Sequence, residues 1–215
     1  TMIATNGGGS AACIDSSDIA AGDTLKVVGN TYETNSVTID SDLILKVYPG
    51  VSVHFDPSDS LTIDDGTLIA DGCTFTKKHP TNKWSGITIN SGCTLIVKQG
   101  MKIAYADTGL TIYSSDGDIY GDTATTIENC TRGVSIYECS PWIRKVKFSS
   151  ITNEAIKIQG STSYVNIYYN TIDGAAKGIL NSSGADAILK YSTLKNTSSH
   201  SVDLGTGCSI DMSWA

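Results

Sequence analysis

The sequence predicts a single-stranded, right-handed parallel β-helix with three short strands in each coil and about seven to eight coils. Three observations predict this all-β fold: one strand type recurs at a constant interval, two further strand types keep that interval, and no room is left for helices. With 21 glycines and only 17% charged residues, the composition is typical of a folded chain rich in strands and turns.

The first strand type begins with a small residue and alternates apolar with polar side chains. Its members are GITI (86–89), GLTI (109–112), GVSI (133–136), EAIKI (154–158), KGIL (177–180) and SVDL (201–204). Steps of 23, 24, 22, 23 and 23 residues separate the small residues, which are Gly86, Gly109, Gly133, Ala155, Gly178 and Ser201. A β-sandwich would alternate without such a long-range phase, so the constant step favours stacked coils.

Two further strand types keep the same interval. The second type comprises TLIV (94–97), DIY (118–120), WIRK (142–145), YVNIY (164–168), AILKY (187–191) and SIDM (209–212). The third is centred, with steps of 24, 21, 24 and 22, on Ile103, Ile127, Phe148, Ile172 and Leu194. Because crossover helices do not fit between these strands, each strand must pair with its equivalent one coil later. We therefore expect the third set of residues to form one interior column.

Turn-forming residues follow that column at a fixed distance. Two residues after its members stand Asn129, Ser150, Gly174 and Asn196. These residue types tolerate a left-handed backbone or cap a bend with their own side chains. The spacing predicts a bend that recurs in every coil.

The N-terminal third follows the same pattern with looser spacing. Its candidate strands are VTI (37–39), LILKV (43–47), VSVHF (51–55), LTI (61–63), GTLIA (66–70) and CTFT (73–76), followed by the outward loop KKHPTNKW (77–84). The stretches LKVYPGVSVHF, LTIDDGTLIADGCTF and KWSGITI resemble the first coils of extracellular right-handed parallel β-helix proteins of the pectate-lyase-like superfold.

That resemblance covers about residues 23–213 and implies a fold rather than a function, because the superfold carries lyases, hydrolases, adhesins and passive surface proteins. We expect an N-terminal extension or cap over residues 1–22 and the β-helix over residues 23–215. Within that superfold, the chain resembles the non-catalytic extracellular or surface branch. Its cysteine-bearing, Thr- and Ser-rich coils are similar in kind to proteinaceous sheath or surface-layer proteins of archaeal methanogens.

Charge and hydropathy exclude two classes of partner. The formal net charge is −7 and the only arginines are Arg132 and Arg144, so we expect no binding to nucleic acid. No apolar run reaches the roughly 20 residues that a membrane span requires. The chain begins at Thr1 rather than Met, which indicates trimming from a precursor or expression as a fragment, and both stay open.

Six cysteines without a CxxC pair favour a secreted chain over a structural metal site. Cys93, Cys139 and Cys208 share one coil phase, but two coils separate the first pair by about 10 Å, which is too far for a disulfide. Cys73 shares the phase of Met101, and Cys130 falls at a turn. We therefore expect no disulfide ladder within the chain, and we expect Cys13 and Cys208, near opposite ends, to be candidates for pairing between molecules.

The candidate catalytic residues do not form a recognisable set. Asp64 and Asp65 lie in TIDDGTL, where Asp-Gly is typical of a tight turn, and SSDGDIYGD is an acidic loop without the full spacing of a calcium site. The histidines fall in unrelated coil phases without a partner that the repeat would supply. We expect no catalytic residue, cofactor or metal. The residues concerned are Asp64, Asp65, Asp116, Asp118, Asp122, His54, His79 and His200.

Aromatic residues are numerous, and an exposed face that carries them could bind glycans. Flat rings on a β-sheet suit sugar rings or protein partners, although such rings also pack at corners or against a neighbouring subunit. The candidates are Trp84, Trp142, Tyr113, Tyr120, Tyr137, Tyr164, Tyr168 and Tyr169. Glycans are therefore candidate partners beside a second copy of the chain.

The sequence as a whole favours a structural subunit of an extracellular cell-surface assembly, such as a sheath, surface layer or fibre, over an enzyme. The alternatives are a polysaccharide lyase or hydrolase and a glycan-binding adhesin module. The last coil, SVDLGTGCSIDMSWA, has no segment after it to cover its strand edges. We expect it to pair with another molecule, through its N-terminal coil or through Met2, Ile3 and Ala4 added as a strand, unless the natural protein continues into further coils.

Overall fold

The computed structural model describes residues 2–5, 22–29, 31–114, 117–120 and 125–212. These residues form 22 β-strands and no helix, and all their pairings are parallel. Successive strands stack as a solenoid of about eight turns, so the predicted parallel β-helix is confirmed.

Each coil has three flat faces, which we name A, B and C. Four long strands pass round a corner and serve two faces: β8 (Gly66–Lys77) and β10 (Thr94–Ala104) serve B and C, and β16 (Lys147–Gln159) and β18 (Thr171–Ser182) serve C and A. Face A also holds β4 (Val37–Ile39), β7 (Ser60–Ile63), β9 (Gly86–Ile89), β11 (Thr108–Ile112), β14 (Arg132–Tyr137) and β21 (His200–Leu204). Face B also holds β1 (Met2–Thr5), β2 (Thr24–Val28), β5 (Leu43–Val47), β12 (Ile119–Tyr120), β15 (Trp142–Arg144), β17 (Tyr164–Tyr168), β19 (Asp186–Lys190) and β22 (Ser209–Asp211). Face C also holds β3 (Thr31–Thr34), β6 (Ser52–Phe55), β13 (Thr126–Glu128) and β20 (Thr193–Lys195).

The interior column predicted on face C is present and longer than expected. Its members are paired one coil to the next, and all but the half-buried last one are buried. The column runs Tyr32, Val53, Phe75, Ile103, Ile127, Phe148, Ile172 and Leu194. Inward side chains of equivalent strands thus contact their counterparts above and below and exclude water from the axis.

The small residues at the start of face A make room for this column. A Cβ atom added to Gly133 would lie 2.7 Å from Cδ1 of Phe148, and one added to Gly109 would lie 2.8 Å from Cγ2 of Ile127. Real Cβ atoms do not approach other carbon atoms so closely. The glycine period seen in the sequence therefore has a packing cause.

The predicted bend between faces C and A recurs with a left-handed backbone. The φ angles are 55° at Asn129, 54° at Ser150, 79° at Gly174 and 53° at Asn196. Asn196 also donates from Nδ2 to Oδ1 of Asp173 on the coil below, at 2.7 Å. The bend residues that sequence spacing identified are therefore the residues that turn the chain.

One polar residue interrupts an interior column of isoleucines on face A. Asn181 pairs with Ile158 and is fully buried. Its Nδ2 donates to the carbonyl oxygens of Ala185 at 2.8 Å and Ser209 at 3.0 Å, whereas its buried Oδ1 has no partner within the described part of the chain. The side chain thus fastens the following turn and β22 to the core.

The N-terminal segment contributes a strand of its own. β1 pairs in parallel with β2 of the same chain, with Met2 opposite Leu25. Part of the segment that we expected to be an extension over residues 1–22 therefore adds to face B. Pairing between molecules through Met2, Ile3 or Ala4 stays a prediction.

Candidate functional site: the aromatic surface of face B

A cluster of five aromatic side chains, four of them exposed, lies on the outer side of face B. Its rings contact one another in sequence, with centroid distances of 6.5 Å (Tyr120 to Trp142), 5.4 Å (Trp142 to Tyr168), 6.5 Å (Tyr168 to Tyr169) and 4.9 Å (Tyr169 to Tyr191). The guanidinium carbon of Arg144 lies 5.4 Å from the Tyr169 ring centroid. We define the aromatic surface of face B as these six residues.

The coil geometry places these side chains on one surface. Alternation along β12, β15 and β17 directs Ile119, Ile143 and Ile167 inward, so that their neighbours point outward. Tyr169 and Tyr191 occupy equivalent left-handed bend positions, with φ of 56° and 52°. Tyr169 and Tyr191 are therefore one coil apart, and their centroid distance of 4.9 Å is close to the coil spacing of roughly 4.8 Å.

The close rings are stacked on each other rather than laid flat on the sheet. Two rings side by side need a centroid separation of roughly 6 Å or more. Tyr169 and Tyr191 are 4.9 Å apart with planes within 12°, and Trp142 and Tyr168 are 5.4 Å apart within 23°. Much of their π-faces is therefore already covered, and their edges and hydroxyl groups meet the solvent. This arrangement offers little flat ring area to a sugar.

Two charged residues, Asp118 and Arg144, contact the cluster. Asp118 accepts from the backbone N–H of Trp142 at 2.6 Å, which joins the start of β12 to β15. Burial, followed by the nearby Asp118 carboxylate, raises the pKa of Tyr120. The Tyr120 hydroxyl therefore stays protonated at neutral pH, and Arg144 is the one cation within the defined surface.

The aromatic candidates do not all belong to this surface, and the prediction for Trp84 is wrong. Trp84 is fully buried: its ring stacks on Phe55 at 4.4 Å and its Nε1 donates to the carbonyl of Ala104 at 2.9 Å. Tyr113 and Tyr137 stack on each other at the corner between faces A and B. Tyr164 is exposed on face B, outside the ring contacts of the cluster.

Two members of the surface were missed by sequence reasoning. Tyr191 follows Tyr169 by one coil, and this equivalence was the available signal. Arg144 was considered mainly for its charge. It is equivalent to Tyr168 one coil later, because each of the two residues stands directly before a left-handed bend residue. Neither ring contact follows from the residue type alone.

The acidic candidates that the structure describes are engaged in turns and are far apart along the solenoid. Asp64 accepts from Nδ2 of Asn90 at 2.5 Å, and Asp65 follows it in the same exposed turn. Asp118 holds the backbone of Trp142, while Asp116 and Asp122 lie outside the described residues. Within the described ranges, no group of three or more His, Cys, Asp or Glu side chains could hold a metal ion.

The three histidines lie at separate places. His54 points outward and is half-buried, and desolvation lowers its pKa in spite of the nearby Glu33. His79 Nε2 lies 2.9 Å from Oδ1 of Asp56 in an exposed ion pair. His200 Nδ1 lies 2.7 Å from Oγ of Ser199, its neighbour in sequence, on an exposed strand. The coils therefore do not bring the three histidines together.

The described cysteines are free thiols, four of them buried. Burial raises the pKa to about 12 for Cys73 and to about 11 for Cys130 and Cys139. Cys208 is half-buried, and Cys13 lies outside the described residues. The strand register puts Cys73 opposite Met101, as predicted, so the buried cysteines act as small apolar core residues.

No protein-family model, curated protein or solved structure matches this chain. No helix among the described residues is long and apolar enough to cross a membrane.

Proposed function

We propose that this chain is a structural subunit of an extracellular cell-surface assembly, such as a sheath, surface layer or fibre. The aromatic surface of face B is then a lateral contact between subunits. The observation that carries the proposal is that one face of the solenoid brings together five neighbouring rings, four of them exposed, and a half-buried arginine.

The composition of this surface supports a protein contact. Tyr, Trp and Arg are the residue types most enriched at the energetic centres of protein interfaces. Trp142 is 38% exposed and Tyr191 54% exposed, so each has substantial area left to bury. Because the rings cover one another's faces, a second protein that contacts their edges and hydroxyl groups fits better than a sugar ring.

Disulfides between subunits are a narrower part of the proposal. Of the described cysteines, Cys208 is the one with appreciable exposure, whereas a partner's thiol could not reach Cys73 or Cys130 without opening the core. Cross-linking would therefore use Cys208, with Cys13 as the second candidate. An extracellular location is proposed together with the assembly.

Sedimentation velocity tests the lateral contact. We expect the 215-residue chain to associate reversibly across roughly 1–100 µM, the range in which weak interfaces respond to concentration. The double variant Trp142→Ser with Tyr169→Ser should remain monomeric, because it removes the central rings. The matched control is Tyr105→Ser, which removes an exposed ring elsewhere on the solenoid. A wild-type chain that stays monomeric throughout, or equal loss of association in the control, would contradict the proposal.

A further inference from the structure

A cavity of about 370 Å³ lies at the corner where face A turns into face B, away from the aromatic surface. Its lining residues come from four successive coils. They are Tyr113, Tyr137, Glu138, Gln159, Gly160 and Ser183.

The coil register explains why the hollow forms at this place. Tyr113 and Tyr137 stack at 5.0 Å with planes within 19°. The residue opposite Tyr137 on the next coil is Gln159 rather than a third ring. The side of Tyr137 turned toward the following coils is therefore not covered by another aromatic side chain. Gly160, with φ of 99°, and Ser183 are the small residues that line this corner.

The position of the acidic side chain depends on that glycine. A Cβ atom added to Gly160 would overlap Cγ of Glu138, so the glutamate stem lies directly over the glycine. Glu138 is exposed, and among the described residues no lysine or arginine forms an ion pair with it. Its carboxylate is therefore available to a ligand in the cavity.

The polar groups at this cavity are mainly hydrogen-bond acceptors. The Glu138 carboxylate accepts only, and its own backbone N–H already donates to the carbonyl of Gln159 at 3.0 Å. Oε1 of Gln159 is buried without a hydrogen-bond partner in the described structure. Gln159 is one of the residues that line the cavity, so a donor bound there lies beside this side chain. An unpaired buried acceptor is costly, so a donor that reaches it is favoured.

We propose that this cavity binds a primary ammonium group carried on an alkyl chain. Such a group has three donors and no acceptor, which complements the Glu138 carboxylate and the Gln159 oxygen. The Tyr137 ring, which lines the cavity, attracts a cation and contacts the alkyl chain. A carboxylate ligand would meet Glu138 as a like charge, and a neutral sugar would lack the charge that this set of groups selects. The ammonium group could come from a free amine or from a lysine side chain of a polypeptide.

Titration followed by amide chemical shifts tests the site with three probes. The probes are 1,5-diaminopentane, Nα-acetyl-lysine N-methylamide and 1,5-pentanediol, which matches the diamine in length but is neutral. We expect both ammonium compounds, or one of them, to bind with a dissociation constant of about 1 mM, with shifts at Glu138 and Gly160, and the diol to cause none. Comparable binding of the lysine compound would assign a polypeptide source, and binding of the diamine alone would assign a free amine.

Two variants and one control decide whether the cavity is responsible. Glu138→Gln should weaken ammonium binding about tenfold through loss of the charge-assisted bond, and Tyr137→Leu should weaken it several-fold through loss of the ring. Glu128→Gln removes the same charge from a residue that pairs with Lys102 on another corner, and it should leave binding unchanged within about twofold. Absence of binding by both ammonium probes, equal binding of the diol, or full binding by Glu138→Gln would overturn the proposal. Because no aromatic residue of face B is changed, these outcomes are independent of the assembly test.

Discussion

Single interior side chains carry much of the stability of this solenoid, and Phe148 is the largest member of the predicted column at its centre. It is fully buried between Ile127 and Ile172. We expect Phe148→Ala to reduce the free energy of unfolding by about 3–5 kcal/mol, through lost transfer energy and an unfilled cavity. Urea unfolding followed by circular dichroism measures this, and Tyr164→Ala, on an exposed residue, is the control. A reduction below about 1 kcal/mol would mean that the register of the column is wrong.

The buried thiols make stability sensitive to alkaline pH. An ordinary thiol has a pKa of 9.0, and burial raises that of Cys73 to about 12 and those of Cys130 and Cys139 to about 11. Between these values the unfolded chain loses protons that the folded chain keeps. The stabilising contribution is therefore complete below pH 9 and is lost as pH rises toward about 11–12.

The unfolding midpoint in urea, measured from pH 8 to pH 10.5, checks this sign. We expect it to fall with rising pH, and to fall less in the variant with Ala at Cys73, Cys130 and Cys139. In the native chain at pH 8, iodoacetamide should modify these three thiols far more slowly than Cys208, which is half-buried. Equal labelling of all four would show that the core opens readily.

At the scale of strands, Asn181 links β18 to the following turn, through the carbonyl of Ala185, and to β22, through the carbonyl of Ser209. Asn181→Leu has nearly the right size for the isoleucine column but leaves the carbonyls of Ala185 and Ser209 without this donor. We expect faster amide hydrogen exchange in residues 209–211, by about tenfold, with little change in β14. A second variant, Asn181→Ile, carries the side chain typical of this column and should show the same local effect. Slower exchange in β22 would show that apolar burial outweighs the lost hydrogen bonds.

Strand positions were largely predictable because alternation and a fixed period act together. The segments VTI and LILKV coincide with β4 and β5, and the bend at Asn129 falls where spacing placed it. The first coil, β2 and β3, was not recognised as strands, since inward Tyr32 and Thr34 are unusual for a core column. The type of a residue predicted whether it is buried in these columns. It did not predict that a polar or aromatic side chain can also occupy an inward position of the repeat.

The candidate site was predictable only in part, because side-chain contacts between coils depend on rotamers and register together. Tyr120, Trp142, Tyr168 and Tyr169 were identified as surface aromatics, and they do meet. Trp84 was assigned to the same set but fills the core beside Phe55. The residue paired with it on the next coil is the small Ala106, which leaves room for the indole ring. The period could identify equivalent positions, whereas the direction of each ring required the structure.

At the scale of the whole molecule, the net charge of −7 opposes association between copies. If the aromatic surface of face B joins subunits, salt should strengthen the contact by screening this repulsion. We expect the association constant to rise several-fold when sodium chloride is raised from about 20 mM to about 200 mM. Sedimentation equilibrium at the two concentrations measures it. Weaker association in salt would instead indicate a contact held mainly by opposite charges and not by the rings.

The unbroken register of the interior columns makes the length of this molecule adjustable. Excision of residues 134–155 would join Gly133 to Ile156 and would bring Ile127 against Ile172 and Ile112 against Ile158, so that one contact of the same kind closes the gap in each column. Excision of a single residue would instead turn inward side chains outward along a strand. Duplication or loss of the coding sequence for whole coils would therefore lengthen or shorten the protein in steps of about 4.8 Å per coil.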